Sequence, residues 1–178
     1  MNLSRLKQRS SAGQIMAEMG PALFLVLVLT FLPALDLFWL LGAYGSVSFL
    51  NTRQLEIVRK NLYITSSDGE NAIPGNLKTA VDRGNTESTN FTSLPLGRMF
   101  QLSVQPLTTS DIPITPVAGS QWTSGNTVEG ATFVVSVTTR AKCAPLLCVP
   151  FFDKVPGLGA PFDLSITRSD NVENCGVN

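Results

Sequence analysis

Two carboxylates and three cysteines are the side chains whose type and placement in this sequence invite chemistry. Glu18 stands just ahead of a long apolar run, Asp36 lies inside it, and Cys143, Cys148 and Cys175 all fall late in the chain. A carboxylate in low dielectric needs a cation, a donor or water beside it. Three cysteines allow one disulfide and leave one thiol over. The chain has no histidine, which removes Ser-His-Asp and Cys-His catalysis and any histidine-ligated zinc site. A Ser-Lys pairing is the nucleophilic arrangement that composition leaves, and no such pair can be nominated. Asp68, Glu70, Asp82, Glu87 and Asp111 lack a calcium-loop spacing. "GLGAP" at 157–161 has no lysine and reads as a turn rather than a phosphate loop. The expectation is a protein that is not an enzyme, with no cofactor, no metal and no small-molecule substrate.

The element that must position both carboxylates is the run from 19 to 50, almost entirely apolar or small. A bilayer core of ~30 Å needs ~20 helical residues, so the run is long enough to span it. An ordinary signal peptide has an apolar region of only ~7–15 residues, and its best cleavage site here would lie around 43–46. Residues 1–13 carry Arg5, Lys7 and Arg9 with no acid. The positive-inside rule therefore keeps the N-terminus cytoplasmic and sends the rest outward. Net charge is zero overall, with seven basic against ten acidic side chains beyond residue 64, so no nucleic-acid partner is expected.

The run continues as "SVSFLNTRQLEIVRKNLYI", where Phe49, Leu50, Leu55, Ile57, Val58, Leu62 and Ile64 form a helical stripe. Asn51, Arg53, Gln54, Glu56, Arg59 and Lys60 fill the expected polar face. One helix over 14–64 would be about 75 Å long, kinked or interrupted at Pro21 and Pro33. Its first part sits in lipid and its second part packs on an outer domain. Asp36 lies about 27 Å along the helix from Glu18. It is then either an acid wetted by headgroups at the outer boundary or one that pairs with a partner helix. Gly42 and Ser46 form a small-xxx-small pair.

Residues 66–97 are polar and read as a connector, with one short helix at "NLKTAVDRG" capped by Asn76 and ended by Gly84. Three later stretches alternate with period two. Phe100, Leu102 and Val104 share one face, as do Phe133, Val135 and Val137, and then Phe162, Leu164 and Ile166. Antiparallel strands near 98–105, 131–140 and 161–168 are expected, covered on one side by the long helix. The resulting fold class is α+β, a long N-terminal helix on a small antiparallel sheet. A Cys143–Cys148 disulfide is the preferred pairing in an oxidising compartment, with Cys175 left over; Cys175 paired with either of the others would instead pin the C-terminal tail.

The order of features at the N-terminus is specific: a basic leader, Ala12-Gly13, "QIMAE", then the apolar run. This resembles the processing site of type IV prepilins. The resemblance implies cleavage between Gly13 and Gln14 by a prepilin peptidase. Glu18 becomes the fifth residue of the mature chain, the glutamate that pairs with a neighbouring subunit's α-amino group when such helices bundle. More of the chain is similar to the TadE-like family of tight-adherence (Tad) pilus systems. "MAEMGPAL" and "LDLFWLLGAYGSV" stand where that family has an acid in a long apolar helix and then a second acid followed by an aromatic. "FVVSVTTRAKCAPLLCVPFFDKVPGLGAPFDLSITR" reads as its strand, Pro- and Leu-rich loop and second strand. Asp36 stands where the family commonly has glutamate. Gln14 and Met19 depart from the apolar first residue and the post-acid aromatic that are usual in such proteins.

The resemblance implies a pilin-like structural or assembly subunit of a Tad-type pilus or related secretion machine. Its segments are a cytoplasmic leader (1–13), a long helix (14–64) and an extracytoplasmic domain (65–178). It would sit in the bacterial inner membrane, and in an extracellular pilus after assembly. Expected partners are the membrane, a prepilin peptidase, and copies of itself or other pilin-like subunits bound through the N-terminal helix, with Glu18 and Asp36 as assembly residues. The alternatives are an unprocessed single-pass envelope-binding module and a secreted domain cut near 44–46.

Overall fold

A computed structural model describes residues 19–62, 76–116, 132–147, 153–157 and 159–173. Helix α1 runs from Met19 to Asn61 and is regular α-helix over Leu32–Asn61. Proline at 33 has no N–H to give the carbonyl four residues back. The helix answers with a π-helical segment at Leu27–Phe31, in which the Leu32 amide reaches back five residues to the Leu27 carbonyl. At the far end Leu62 turns extended, and the Asn76 side-chain amide donates to the freed carbonyl of Asn61.

Helices α2 (Leu77–Ser93) and α3 (Pro95–Met99) follow. The polar stretch expected to be a connector is thus mostly helix. Gly84 lies inside α2 rather than beyond its end, and Asn76 makes no side-chain cap to it. The signal was weak because α2 buries small or polar residues, Ala80, Gly84 and Ser88, among Leu77, Val81 and Phe91. Leu107 packs so closely on the buried Gly84 that a Cβ there would stand 2.8 Å from Leu107 Cδ1.

Strands β1 (Leu102–Val104), β2 (Ile114–Pro116), β3 (Thr132–Cys143) and β4 (Phe162–Glu173) form one antiparallel sheet. β3 is central and pairs with β4 over its whole length, from Thr132 opposite Glu173 to Cys143 opposite Phe162. β1 and β2 share its other edge. β1 is shorter than the strand expected over 98–105, because α3 holds Pro95–Met99 and Gln101 takes a left-handed φ of 48°. Phe100 thus lies outside the strand, yet it packs with Leu102 and Val104 on the side that faces α1. β3 and β4 instead run past the expected 140 and 168.

The odd-numbered residues of β3 and the even-numbered residues of β4 face α1. Val135, Val137, Ala141, Cys143, Leu164 and Ile166 are buried there. The opposite face is polar, with Ser136 hydrogen-bonded to Ser169 and Thr138 to Thr167 across the strands.

The core is divided. One apolar cluster joins Leu55, Val58 and Leu62 of α1 to α2, Ile112 and β3. A second joins Ala43, Val47 and Leu50 of α1 to Phe91, Leu102, Cys143 and Leu164. Between them lies a buried polar layer. The Asn51 amide donates to the carbonyl of Val137 (2.9 Å) and to Thr139 Oγ1 (2.8 Å). Thr139 donates to Gln54 Oε1, Gln54 Nε2 donates to Ser88 Oγ (2.6 Å), and Ser88 donates to the carbonyl of Gly84 (3.1 Å). Asn51 and Gln54, placed on the solvent face by the sequence pattern, are therefore fully buried. The hydrogen bonds of the Asn51 amide N–H groups and of Gln54 meet groups that would otherwise cost ~1–3 kcal/mol each to bury, while Asn51 Oδ1 has no partner among the described residues.

Candidate functional site

Of the chemistry-bearing residues of the sequence, Asp36 and Cys143 fall among the described residues, and both lie near one level of α1. Asp36 and Trp39, one helical turn apart and on the same face, grip the two ends of the loop at 144–147. Asp36 Oδ1 accepts the Leu147 backbone N–H at 3.0 Å, and Trp39 Nε1 donates to the Ala144 carbonyl at 3.2 Å. The loop begins directly after β3, so the long β3–β4 register fixes where it meets the helix. Asp36 is only 1% exposed, and its Oδ2 has no hydrogen-bond partner among the described residues. The side chain is thus turned inward, toward the loop, rather than outward on the helix. It is covered by its own domain.

Two further segments close on the same level. The Phe100 ring packs tilted on Trp39 at 4.9 Å between centroids. The same ring lies over Gly42, where a Cβ would come within 2.6 Å of it, so only glycine admits this approach. In the turn at 153–160, Gly157 has φ +83°, and its amide donates to the Ala160 carbonyl at 2.9 Å. A Cβ on Gly157 would touch Leu40. The turn at Gly157 thus abuts the helix.

Cys143 sits under this assembly with a free, buried thiol. Its Sγ lies 3.5 Å from the Phe100 carbonyl and 3.4 Å from that of Ala144. Burial pushes the thiol above its ordinary value, and a hydrogen bond from Trp39 opposes the shift. Cys148 and Cys175, and with them every candidate disulfide, lie outside the described residues, as do Gly13, Gln14 and Glu18.

N-terminal to this level, α1 is bare. Met19, Leu23, Phe24, Leu25, Val26 and Leu29 are all exposed. The helix is long and apolar enough to cross a membrane. Among the described residues no group of three or more His, Cys, Asp or Glu side chains is placed to hold a metal ion. A half-open groove of about 250 Å³ lies between α2 and β1, lined by Asn85, Ser88, Thr89, Thr92, Val104 and Pro106. None of these lining residues is charged, and Asn85 is already engaged with the backbone of Leu107.

Sequence reasoning placed the second acid and its aromatic near one boundary, but not their shared target. The spacing Asp36-x-x-Trp39 was the available signal, since i,i+3 places two polar-tipped side chains on one face. Compared with known proteins, the chain matches no family model, no curated protein and no solved structure.

Proposed function

We infer that this chain is a pilin-like structural or assembly subunit of a Tad-type pilus or related secretion machine. In this reading a prepilin peptidase cuts after Gly13, and the subunit is held in the inner membrane of a bacterium. It then assembles with copies of itself or related subunits through the N-terminal helix. The observation that carries the reading is the division of labour along α1. One 43-residue helix is bare and apolar in its first half and serves as a core element of the sheet domain in its second. A helix built so couples a membrane to a folded head without a linker. The leader, "AGQIMAE" and Glu18 stand at its membrane end.

Glu18 supports the same reading on physical grounds. A carboxylate at the edge of hydrocarbon is stabilised by an ammonium group, and cleavage at Gly13 creates one at Gln14 of every subunit. The test is the mature N-terminus, read by mass spectrometry of the protein from its own membranes. A chain beginning at Gln14 is expected, with Gly13→Val retaining the leader and Glu18→Ala inserting normally but assembling poorly. A chain that begins at Met1, or undiminished pilus formation in both variants, rejects the assembly reading in favour of an unprocessed envelope anchor.

A further inference from the structure

We propose that the end of the domain surrounding residues 36–42 of α1 is seated in the headgroup–acyl boundary of the outer leaflet. The folded head, and not only its helix, is then a lipid-binding surface. The inference rests on reading α1 as a membrane span. It does not depend on processing or assembly.

The first support is length. From Met19 to Asp36 the helix advances only about 25 Å, short of the ~30 Å hydrocarbon core. The thirtieth ångström falls near Trp39, at about 1.5 Å per residue. That residue is already gripped by the loop at 144–147 and the Phe100 ring. If Glu18 marks the inner edge, the outer edge of the hydrocarbon lies among residues that the head already covers.

The second support is the surface at that level. Leu37, Phe38 and Leu41 of α1 point outward, with Phe38 72% exposed. Each segment that closes on the helix there presents an exposed apolar side chain of its own: Met99 beside Phe100, Leu146 in the loop, and Val155 in the turn. An apolar collar continuous with a bare apolar helix is covered most simply by the solvent that covers the helix. Arg98 and Lys154 neighbour Met99 and Val155, and long cationic side chains at this depth reach headgroup phosphates. Asp153 is the acid beside them. The far end of α1 is of opposite character, with Arg53, Glu56, Arg59 and Lys60 exposed.

The third support is Asp36. Its only hydrogen bond among the described residues comes from the loop backbone. At this depth the loop screens the carboxylate from acyl chains, and the same clamp holds Leu146 against the bilayer.

The test uses the full chain in phosphatidylcholine/phosphatidylglycerol vesicles, with dansylalanine replacing Val26, Leu146, Val155 or Lys60 in turn. Quenching is read with lipids brominated at known acyl depths and with aqueous iodide. Position 26 should be quenched most by deep bromines. Positions 146 and 155 should be quenched several-fold more by shallow bromines than position 60, which only iodide should reach. If 26 behaves so while 146 and 155 are as open to iodide as 60, the span stands and the seated collar is wrong. Shielding of 146 and 155 from both quenchers overturns the proposal in favour of a protein partner, such as a second copy. An unquenched position 26 removes the span and the proposal with it.

Discussion

Asp36 and Cys143 show how single side chains near one level of α1 are used. Asp36 accepts one backbone N–H and keeps a second oxygen free of partners among the described residues. Replacing it with Asn preserves the acceptor for Leu147, whereas Leu leaves that amide buried and unpaired. Asp36→Leu should cost about 1–3 kcal/mol of stability, and Asp36→Asn clearly less; thermal unfolding of the full chain in detergent measures both. The thiol of Cys143 is held above its ordinary value by burial. Between the unfolded pKa, about 8.5, and the higher folded one, the folded chain keeps a proton that the unfolded chain loses. Under reducing conditions its contribution to stability is therefore present at neutral pH and is lost as pH rises above about 8.5. Cys143→Ala should flatten that slope in a pH series of melting curves. No comparable signal was legible for Asp36: an acid in an apolar run announces a constraint without naming the loop amide that meets it.

At the level of elements, the polar layer decides how α1 lies on the sheet. Two apolar seams joined end to end would tolerate a slip of one turn, whereas Asn51 and Gln54 meet their partners at Thr139 and Ser88 in one register only. Asn51→Leu removes the donor to Val137 and Thr139 and should destabilise the domain by about 1–3 kcal/mol despite added apolar area. Broadened amide signals from β3 and α2 in NMR spectra would mark the loss of a unique register. The strands β3 and β4 were legible because alternation of Phe133, Val135 and Val137, and of Leu164 and Ile166, has a cause visible in sequence, one buried face. α2 was not, because its buried stripe is small and polar and Gly84 imitates a terminator. Asn51 and Gln54 failed for the converse reason, since a buried amide reads as a solvated one until its partners are known.

The same register separates the ends of the hairpin. Cys143 stands opposite Phe162, and β4 continues to Glu173 opposite Thr132, about 36 Å further at roughly 3.3 Å per residue.

Across the whole molecule, a single helix sets the axis and every other described element is arranged along its second half. The α+β class and the long apolar helix were readable from residues 19–62, where hydropathy and helical period coincide. The placement of the sheet domain against the helix near residues 36–42 was not, because it depends on Gly42 admitting Phe100 and on a loop that reaches back more than a hundred residues to Asp36.

The buried polar layer has a mechanical consequence. A pull along α1 from its bare apolar half is directed parallel to the helix–sheet seam. The hydrogen bonds that join Asn51 and Gln54 to Thr139 and Ser88 are crosswise to that pull. They are therefore loaded together, in shear, rather than one after another as in peeling. An apolar seam can creep under tension by exchanging one greasy contact for the next. A seam interrupted by amides can yield only by stranding several of them at once, so this head should hold its tether rigidly up to a sharp yield point.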